Sequence, residues 1–333
     1  MTGTVTRVDG AAERREGVLR IGTRGSALAV AQTTAVAQSI ARATGLDVEL
    51  VTVTTQGDTS RESLAQLGGT GVFATALRDA LGAGEVDLVV HSLKDLPTAP
   101  APGLVIGAIP KRVDARDTLC ARDGLTIETL PQGARVGTGS PRRVAQLKAQ
   151  RPDLDVVDLR GNVDTRLGQV SDGDLDAVVL AAAGLTRLGR LDAATELFPL
   201  SLMPTAPGQG ALALEVRSGE EKGRGDIARA LSAVDHVTSH ASVIAERVVL
   251  AGLEAGCAAP IGATAIVDDG LLFLTATVYR PDGSEQLTAS HAATPDSLSA
   301  AHLAEAAQDV GARVVAELLQ AGAADLAPLG GNR

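Results

Sequence analysis

Residues 135–166, RVGTGSPRRVAQLKAQRPDLDVVDLRGNVDTR, constrain the fold of this chain more than any other stretch. Arg135 and Val136 form a short strand that meets Gly137-Thr138-Gly139. Ser140 then stands where a helix N-cap belongs, and Pro141 at the first helical position, where its missing N–H costs nothing. Arg142 and Arg143 follow in the first helical turn. Cations are unusual there, because the helix dipole already makes that end positive. An anion in front of the helix resolves the conflict, and the free backbone N–H groups favour the same anion. A second strand, residues 155–158, runs through Leu159-Arg160-Gly161 to Asn162, which can cap another helix. Arg166 falls in or just past that helix's first turn. Two strand-to-helix junctions thus offer Arg142, Arg143, Arg160 and Arg166. In an open α/β sheet such junctions lie at the carboxyl ends of strands, where ligands bind. The pattern predicts a pocket for carboxylates or phosphates; the bland alternative is four solvated arginines.

These arginines are a local exception. The chain carries 30 Lys and Arg against 40 Asp and Glu, a net charge of −10, which argues against a general nucleic-acid or membrane binder. Its 333 residues are too many for one typical core and predict two or three domains. Apolar residues make up 45% and aromatics 1%, so the cores must be built from Leu, Val, Ile and Ala, and disorder is not expected. Residues 1–16 are polar and charged, lack the apolar core of a signal peptide and read as a flexible tail. No apolar run has the length of a membrane span. With no export signal, Cys120 and Cys257 are not expected to pair. The absence of CxxC, HExxH and His/Cys clusters predicts no metal site.

Along the chain, strands alternate with helices. Residues 18–21 form a strand that turns at Gly22-Thr23-Arg24-Gly25-Ser26 into a helix. A strand at 48–55, a polar Gly-rich loop at 59–71, a helix at 72–81 and strands at 86–90 and 104–109 follow. The second half echoes the first: Ile21-Gly22-Thr23 resembles Val136-Gly137-Thr138, and residues 84–90 resemble 173–179. The alternation predicts an α/β protein with two similar doubly wound lobes, each built on a parallel sheet, and a ligand cleft between them. The strand at 211–216 is expected to return to the first lobe. A helix with Val237, Ala241, Ile244, Val248 and Ala251 on one stripe ends near Gly252. Residues 264–267, 271–279 and 285–290 read as antiparallel strands with turns at Asp268-Asp269-Gly270 and Pro281-Asp282-Gly283, and a helix at 297–319 completes a small α+β domain. The expected division is a tail at 1–16, a first lobe at 17–112 with 211–232, a second lobe at 113–210 and a third domain at 233–333.

Asp95 follows Lys94 just beyond a strand end. A carboxylate there can accept N–H groups, stabilise a nearby cation or, with a raised pKa, move a proton; it can also merely cap the turn at Pro97. Cys257 lies among small residues, where a thiolate can attack an electrophile, although a free Cys is more often a small buried hydrophobe, above all Cys120 inside a strand. Arg24 and Arg187 extend the basic set. His91 reads as a packed strand-end histidine, and Asp58 and Gln32 as polar lining or caps. These residues fit a polyanion-handling enzyme or, alternatively, a two-lobed binding protein for an acidic small molecule.

The motifs IGTRGSALA, TQGD, VDLVVHSLKDLPT, VGTGSPRR, LRGNVDTRL, AAGLTRLG, PGQGAL and GCAAPIGA occur in this order. From about residue 18 to the C-terminus the chain resembles the porphobilinogen deaminase (hydroxymethylbilane synthase) family. The resemblance implies three domains, the first two similar to the lobes of bilobal binding proteins, and a dipyrromethane cofactor held covalently by Cys257. It implies an enzyme, a transferase that joins four porphobilinogen molecules head to tail with loss of ammonia and releases hydroxymethylbilane by hydrolysis, in heme biosynthesis. Asp95 is implied as the catalytic residue, stabilising the electron-poor azafulvene left by deamination. Ser92, Lys94, Asp95, Thr138, Ser140, Arg142, Arg143 and Arg160 are implied around the cofactor, and Arg24, Arg166 and Arg187 around the substrate carboxylates, which planar guanidinium forks bind well. A cytoplasmic monomer is implied, with porphobilinogen as substrate, no nucleic acid or membrane partner, and transfer of product to a uroporphyrinogen synthase. Thr70 and Thr75 stand where many members of the family carry Lys.

Overall fold

The computed structural model describes residues 2–8, 13–53, 72–256, 259–327 and 329. The chain divides into two compact units, residues 1–112 with 211–240 and residues 113–210 with 241–333.

The first unit is built on six strands: β1 (Val5–Val8), β2 (Val18–Thr23), β3 (Asp47–Thr52), β4 (Leu88–Ser92), β5 (Leu104–Ala108) and β11 (Leu212–Arg217), in the order β1-β3-β2-β4-β11-β5. The first four are parallel, and β11 runs antiparallel to both neighbours. Successive residues of a strand face opposite sides, and here each side has its own core. Ile21, Leu50 and Leu88 pack with Val36 and Ile40 of helix α1 (Ala27–Thr44) and with Leu231 of α6 (Asp226–Val234). Val51 and Val89 pack instead with Leu77 and Leu81 of α2 (Val72–Gly82). That is the doubly wound arrangement. Ser26 caps α1 by accepting the Ala29 N–H at 3.3 Å.

Two expectations change here. The sheet is mixed, since β11 enters it antiparallel. Residues 5–8, read as part of a flexible tail, form β1 on the edge of β3. Thr4 donates both its backbone N–H and its hydroxyl to Asp47 Oδ1, at 2.7 and 2.6 Å, and Val48 N–H donates to Thr4 O at 2.8 Å. Backbone pairing of this kind needs no apolar pattern and leaves none to read.

The second unit holds two sheets. Strands β6 (Asp117–Ala121), β7 (Arg135–Gly137), β8 (Asp155–Val157), β9 (Ala177–Ala181) and β10 (Glu196–Leu197) lie in the order β10-β6-β9-β7-β8. β7, β8 and β9 are parallel, while β6 is antiparallel to β9. β12 (Ile261–Asp268), β13 (Leu271–Tyr279) and β14 (Gln286–Ala293) form an antiparallel sheet, with both turns where the Asp-Gly signals put them. Its core is closed by α8 (Ala300–Gln320), capped by Ser299, and by residues of α7 (Val237–Gly252). A Cβ on Gly311 of α8 would lie 2.6 Å from Val248 Cγ1, so glycine permits this close approach. The buried face of α7 differs from the stripe read from sequence: Ala251 is exposed, and Val243, Ala245, Glu246 and Val249 are buried. This unit thus joins residues expected as a second lobe and a third domain.

Candidate active site

In the second unit the parallel strands β8, β7 and β9 all end at one edge of the sheet, and each ends in an arginine-bearing junction. β7 leads through Thr138 into α3 (Pro141–Gln150), with Pro141 in the first turn as expected. Thr138 is buried and donates its N–H to Val157 O at 3.0 Å. Ser140 occupies the N-cap position but its side chain makes no capping hydrogen bond; its own N–H donates to Thr138 Oγ1 at 3.3 Å.

Arg142 and Arg143 are not solvated. They are 3% and 5% exposed and fold back on Asp117, which is 0% exposed. Arg143 donates from Nε and Nη2 to Asp117 Oδ1 at 3.1 and 2.7 Å and from Nη1 to Val179 O at 2.9 Å. Arg142 Nη1 lies 2.8 Å from Asp117 Oδ2, and donates to Gln146 Oε1 at 2.7 Å and Pro204 O at 2.8 Å. Its two N–H groups are spent on those acceptors, so the contact with Oδ2 is ionic without hydrogen-bond geometry. Arg142 Nε is buried without a hydrogen-bond partner among the described residues. Burial would raise the Asp117 carboxyl, but the charges of Arg142 and Arg143 outweigh it and hold the group far below the usual carboxylate range. Burial pulls the Arg142 guanidinium down against the attraction of Asp117; a guanidinium stays cationic regardless. The antiparallel β6 is what brings Asp117 here: it begins beside Ala181, the end of β9, and so puts an acidic first residue at the carboxyl edge. Sequence reasoning missed Asp117 and Gln146.

At the second junction, Asn162 Oδ1 caps α4 (Val163–Ser171) by accepting the Thr165 N–H at 2.9 Å. Gly161 takes φ +110°, and a Cβ there would lie 2.9 Å from Thr165. Arg160 is exposed, with Nε 3.2 Å from Asp158 Oδ2, and Arg166 Nε donates to Gly161 O at 2.8 Å. The third junction, α5 (Ala182–Arg187), ends in Arg187, which donates to Gly210 O at 2.7 Å and which burial pushes down to about 10. The neighbouring Gln209 donates to Asp117 Oδ1 at 2.8 Å. The second unit therefore gathers Thr138, Arg142, Arg143, Arg160, Arg166 and Arg187 at one sheet edge.

In the first unit, Arg24 follows β2 and Asp95 follows β4, two adjacent parallel strands, so both stand at the carboxyl edge of that sheet. Ser92 ends β4, and Lys94 and exposed Asp95 lie in a short 3-10 turn, Leu93–Asp95, anchored by the Leu93 N–H on Ala211 O at 3.1 Å. Thr75 is exposed on α2. His91 is buried, as expected, but is paired with Glu215, which sequence reasoning missed. It also missed Glu246, fully buried and accepting the N–H groups of Gly208 and Ala265 at 2.7 and 2.8 Å. Cys120 is buried in β6, where desolvation raises its thiol. Cys257, Asp58 and Thr70 lie outside the described residues.

Residues 19–225 match the family description porphobilinogen deaminase, dipyromethane cofactor binding domain, and residues 240–320 match porphobilinogen deaminase, C-terminal domain. The porphobilinogen deaminase of Leifsonia xyli subsp. xyli is 80% identical over 325 residues, which cover 98% of this chain and 99% of the relative. The chain belongs to the porphobilinogen deaminase family. The porphobilinogen deaminase of Thermobifida fusca is 56% identical over 287 residues, 85% of this chain and 89% of the relative. Among solved structures, the immunogenic lipoprotein A of Vibrio vulnificus is 12% identical at a TM-score of 0.42, covering 65% of this chain and 94% of that one. The cofactor of the porphobilinogen deaminase family is dipyrromethane. Among the described residues, two guanidinium groups face a single carboxylate and one buried donor has no partner, a donor set that fits a carboxylate-bearing group.

Proposed function

We propose that this chain joins four porphobilinogen molecules head to tail, releases an ammonia at each addition, and frees hydroxymethylbilane by hydrolysis, a step of tetrapyrrole biosynthesis. The family match over residues 19–225 carries this reading, because it spans all three arginine junctions and the Asp95 turn.

Each chain residue has a task that its position suits. Asp95, exposed at a strand end, accepts pyrrole N–H groups and stabilises the positive charge that grows as ammonia departs. Lys94 and Ser92 lie in or beside the same turn. Arg142 and Arg143, with Thr138 and Ser140 beside them, hold cofactor carboxylates; one positive charge of the pair is left over after Asp117, and the side chains are already fixed. Arg160 at the second junction also faces the cofactor, while Arg166, Arg187 and Arg24 bind carboxylates of the substrate. Cys257 would tether the cofactor, whose terminal pyrrole would supply the electron-rich carbon for the first addition, each added ring then supplying it for the next; holding the chain in place lowers the entropic cost of coupling. The proposal extends to a cytoplasmic monomer that passes its product to a uroporphyrinogen synthase. No helix among the described residues is long and apolar enough to cross a membrane.

The test is the intact mass of the denatured protein, wild type and Cys257→Ser, after exposure to porphobilinogen. A two-pyrrole increment on the wild type, absent from the variant, supports the reading. A wild type that stays unmodified after that exposure refutes it.

A further inference from the structure

β11 begins Leu212-Ala213-Leu214-Glu215-Val216, four buried apolar residues around one buried glutamate. A carboxylate inside a sheet adds little to stability, since well-packed apolar residues of similar volume do as well there. Its contacts show what it holds. Arg78 of α2 grips it with Nη2 2.8 Å from Oε1 and Nε 3.0 Å from Oε2. His91 Nε2 of β4 lies 3.1 Å from Oε2; an ionised carboxylate only accepts, so Nε2 carries the proton. Glu215 stands opposite Val89 in the register, which makes His91 its diagonal neighbour on the same face. The pairing of β11 with β5 slips between Leu214 and Glu215, an irregularity of the kind that re-aims side chains beside active sites.

β4 needs a brace at this point. Its pairing with β2 runs through Leu88 and Val89, whereas β11 follows it as far as Ser92, opposite Leu212. The next three residues are the Asp95 turn, itself anchored on Ala211, the residue just before β11. The end of β4 that carries Lys94 and Asp95 is thus held in the sheet by the strand that carries Glu215.

We infer that Glu215 is a positioning residue for the reaction: through His91 it fixes the end of β4, and with it the Asp95 carboxylate, while Arg78 neutralises it. The inference rests on the reading of Asp95 given above. In cofactor-loaded enzyme, Glu215→Gln lowers kcat by about 10- to 100-fold, the loss expected when a reacting group shifts by about 1 Å, with KM for porphobilinogen within about twofold. His91→Asn does the same, and the double variant falls no further than the worse single one, because both act along one path. Arg78→Met, which touches Glu215 from the helix side, lowers the melting temperature but keeps kcat within about threefold. Wild-type kcat in Glu215→Gln overturns the inference. So do losses in the two β-strand variants that multiply, or an Arg78→Met loss equal to that of Glu215→Gln, which marks general loosening. Asp95→Asn, measured beside them at equal cofactor mass, separates the two levels: turnover retained there sinks the Asp95 reading itself, and turnover lost there with Glu215→Gln unaffected sinks the positioning role alone.

Discussion

Asp117→Asn is the sharpest test of the arginine cluster. The wild-type carboxylate is fully buried and meets Arg142 at 2.8 Å and Arg143 at 2.7 Å. The amide is the same size, but it removes the one negative charge that, among the described residues, pairs with either guanidinium, and it turns an N–H toward one of them. Two unit charges about 4 Å apart attract by about 4 kcal/mol at an effective dielectric of about 20; the desolvation already incurred takes back much of that sum. Removing one partner of a buried pair costs about 3–5 kcal/mol, because the orphaned charge stays buried. At about 2–4 °C per kcal/mol for a unit of this size, the melting temperature falls by about 6–20 °C. The pH dependence has a fixed sign. The folded Asp117 carboxyl lies far below its ordinary value of 3.8, so its contribution is complete above that value and is lost as pH falls from there toward the depressed one. Melting curves from pH 8 to 5 should therefore show a constant gap between variant and wild type, closing only in stronger acid. Asp158→Asn is the control: its pair with Arg160 is half to two-thirds exposed, and such pairs are worth about 0–1 kcal/mol. A gap below about 2 °C at pH 7, or one that widens in acid, refutes the account of the cluster.

Three further outcomes follow from the geometry. Glu246→Gln leaves one of two buried N–H groups, on Gly208 or Ala265, without its acceptor, and should cost about 1–3 kcal/mol in thermal or urea unfolding. Gly161→Ala forces a Cβ against Thr165 at φ +110°; it should cost about 1–3 kcal/mol and raise KM for porphobilinogen more than it lowers kcat, since Arg160 and Arg166 flank the turn. Tyr279 is the one tyrosine of a chain without tryptophan, and burial raises its phenol above 10. Tyrosinate absorbance should then appear at higher pH in the native protein than in denaturant, and the stability due to the buried phenol should fade as pH rises through the raised value.

What could be read in advance was set by chemistry close along the chain. Pro141 and Asn162 mark helix starts through the first turn alone, and Asp269-Gly270 marks a hairpin turn in which both residues adopt positive φ. Arg142 and Arg143 at a dipole-positive helix end demand an anion. The anion inferred was a ligand, whereas the structure supplies an internal one, Asp117, from 26 positions away in the case of Arg143. Glu215 and Arg78 are 137 positions apart, and Glu246 reaches the loop at Gly208 and Ala265 inside β12. Pairings at such separations are set by topology, and here specifically by the antiparallel entry of β6 and β11, which the strand-helix alternation did not disclose. A signal existed: an acidic residue inside or at the head of an otherwise apolar strand, as in Leu212–Val216 or Asp117–Ala121, marks a buried carboxylate in need of a cation. β1 had no comparable mark.

The stoichiometry of the cluster bears on how it can serve a polyanion. Two guanidinium groups and one carboxylate leave one positive charge in a place with little water, which is costly unless neighbouring dipoles support it. Val179 O, Pro204 O and Gln146 Oε1 do so. Neutral acceptors hold a cation without cancelling its charge. A second internal carboxylate would cancel it, and the site would have nothing left for a guest; without Asp117 the two cations would repel each other in the core. In the proposed reading, an incoming carboxylate meets guanidinium groups that are already desolvated and fixed in rotamer, so the ordering cost of binding falls on the guest. Arg160 differs in that it is exposed and paired only loosely with Asp158. A rigid, buried pair suits a group that stays tethered through turnover, and the exposed Arg160 can adjust to that group's outer carboxylates at little cost.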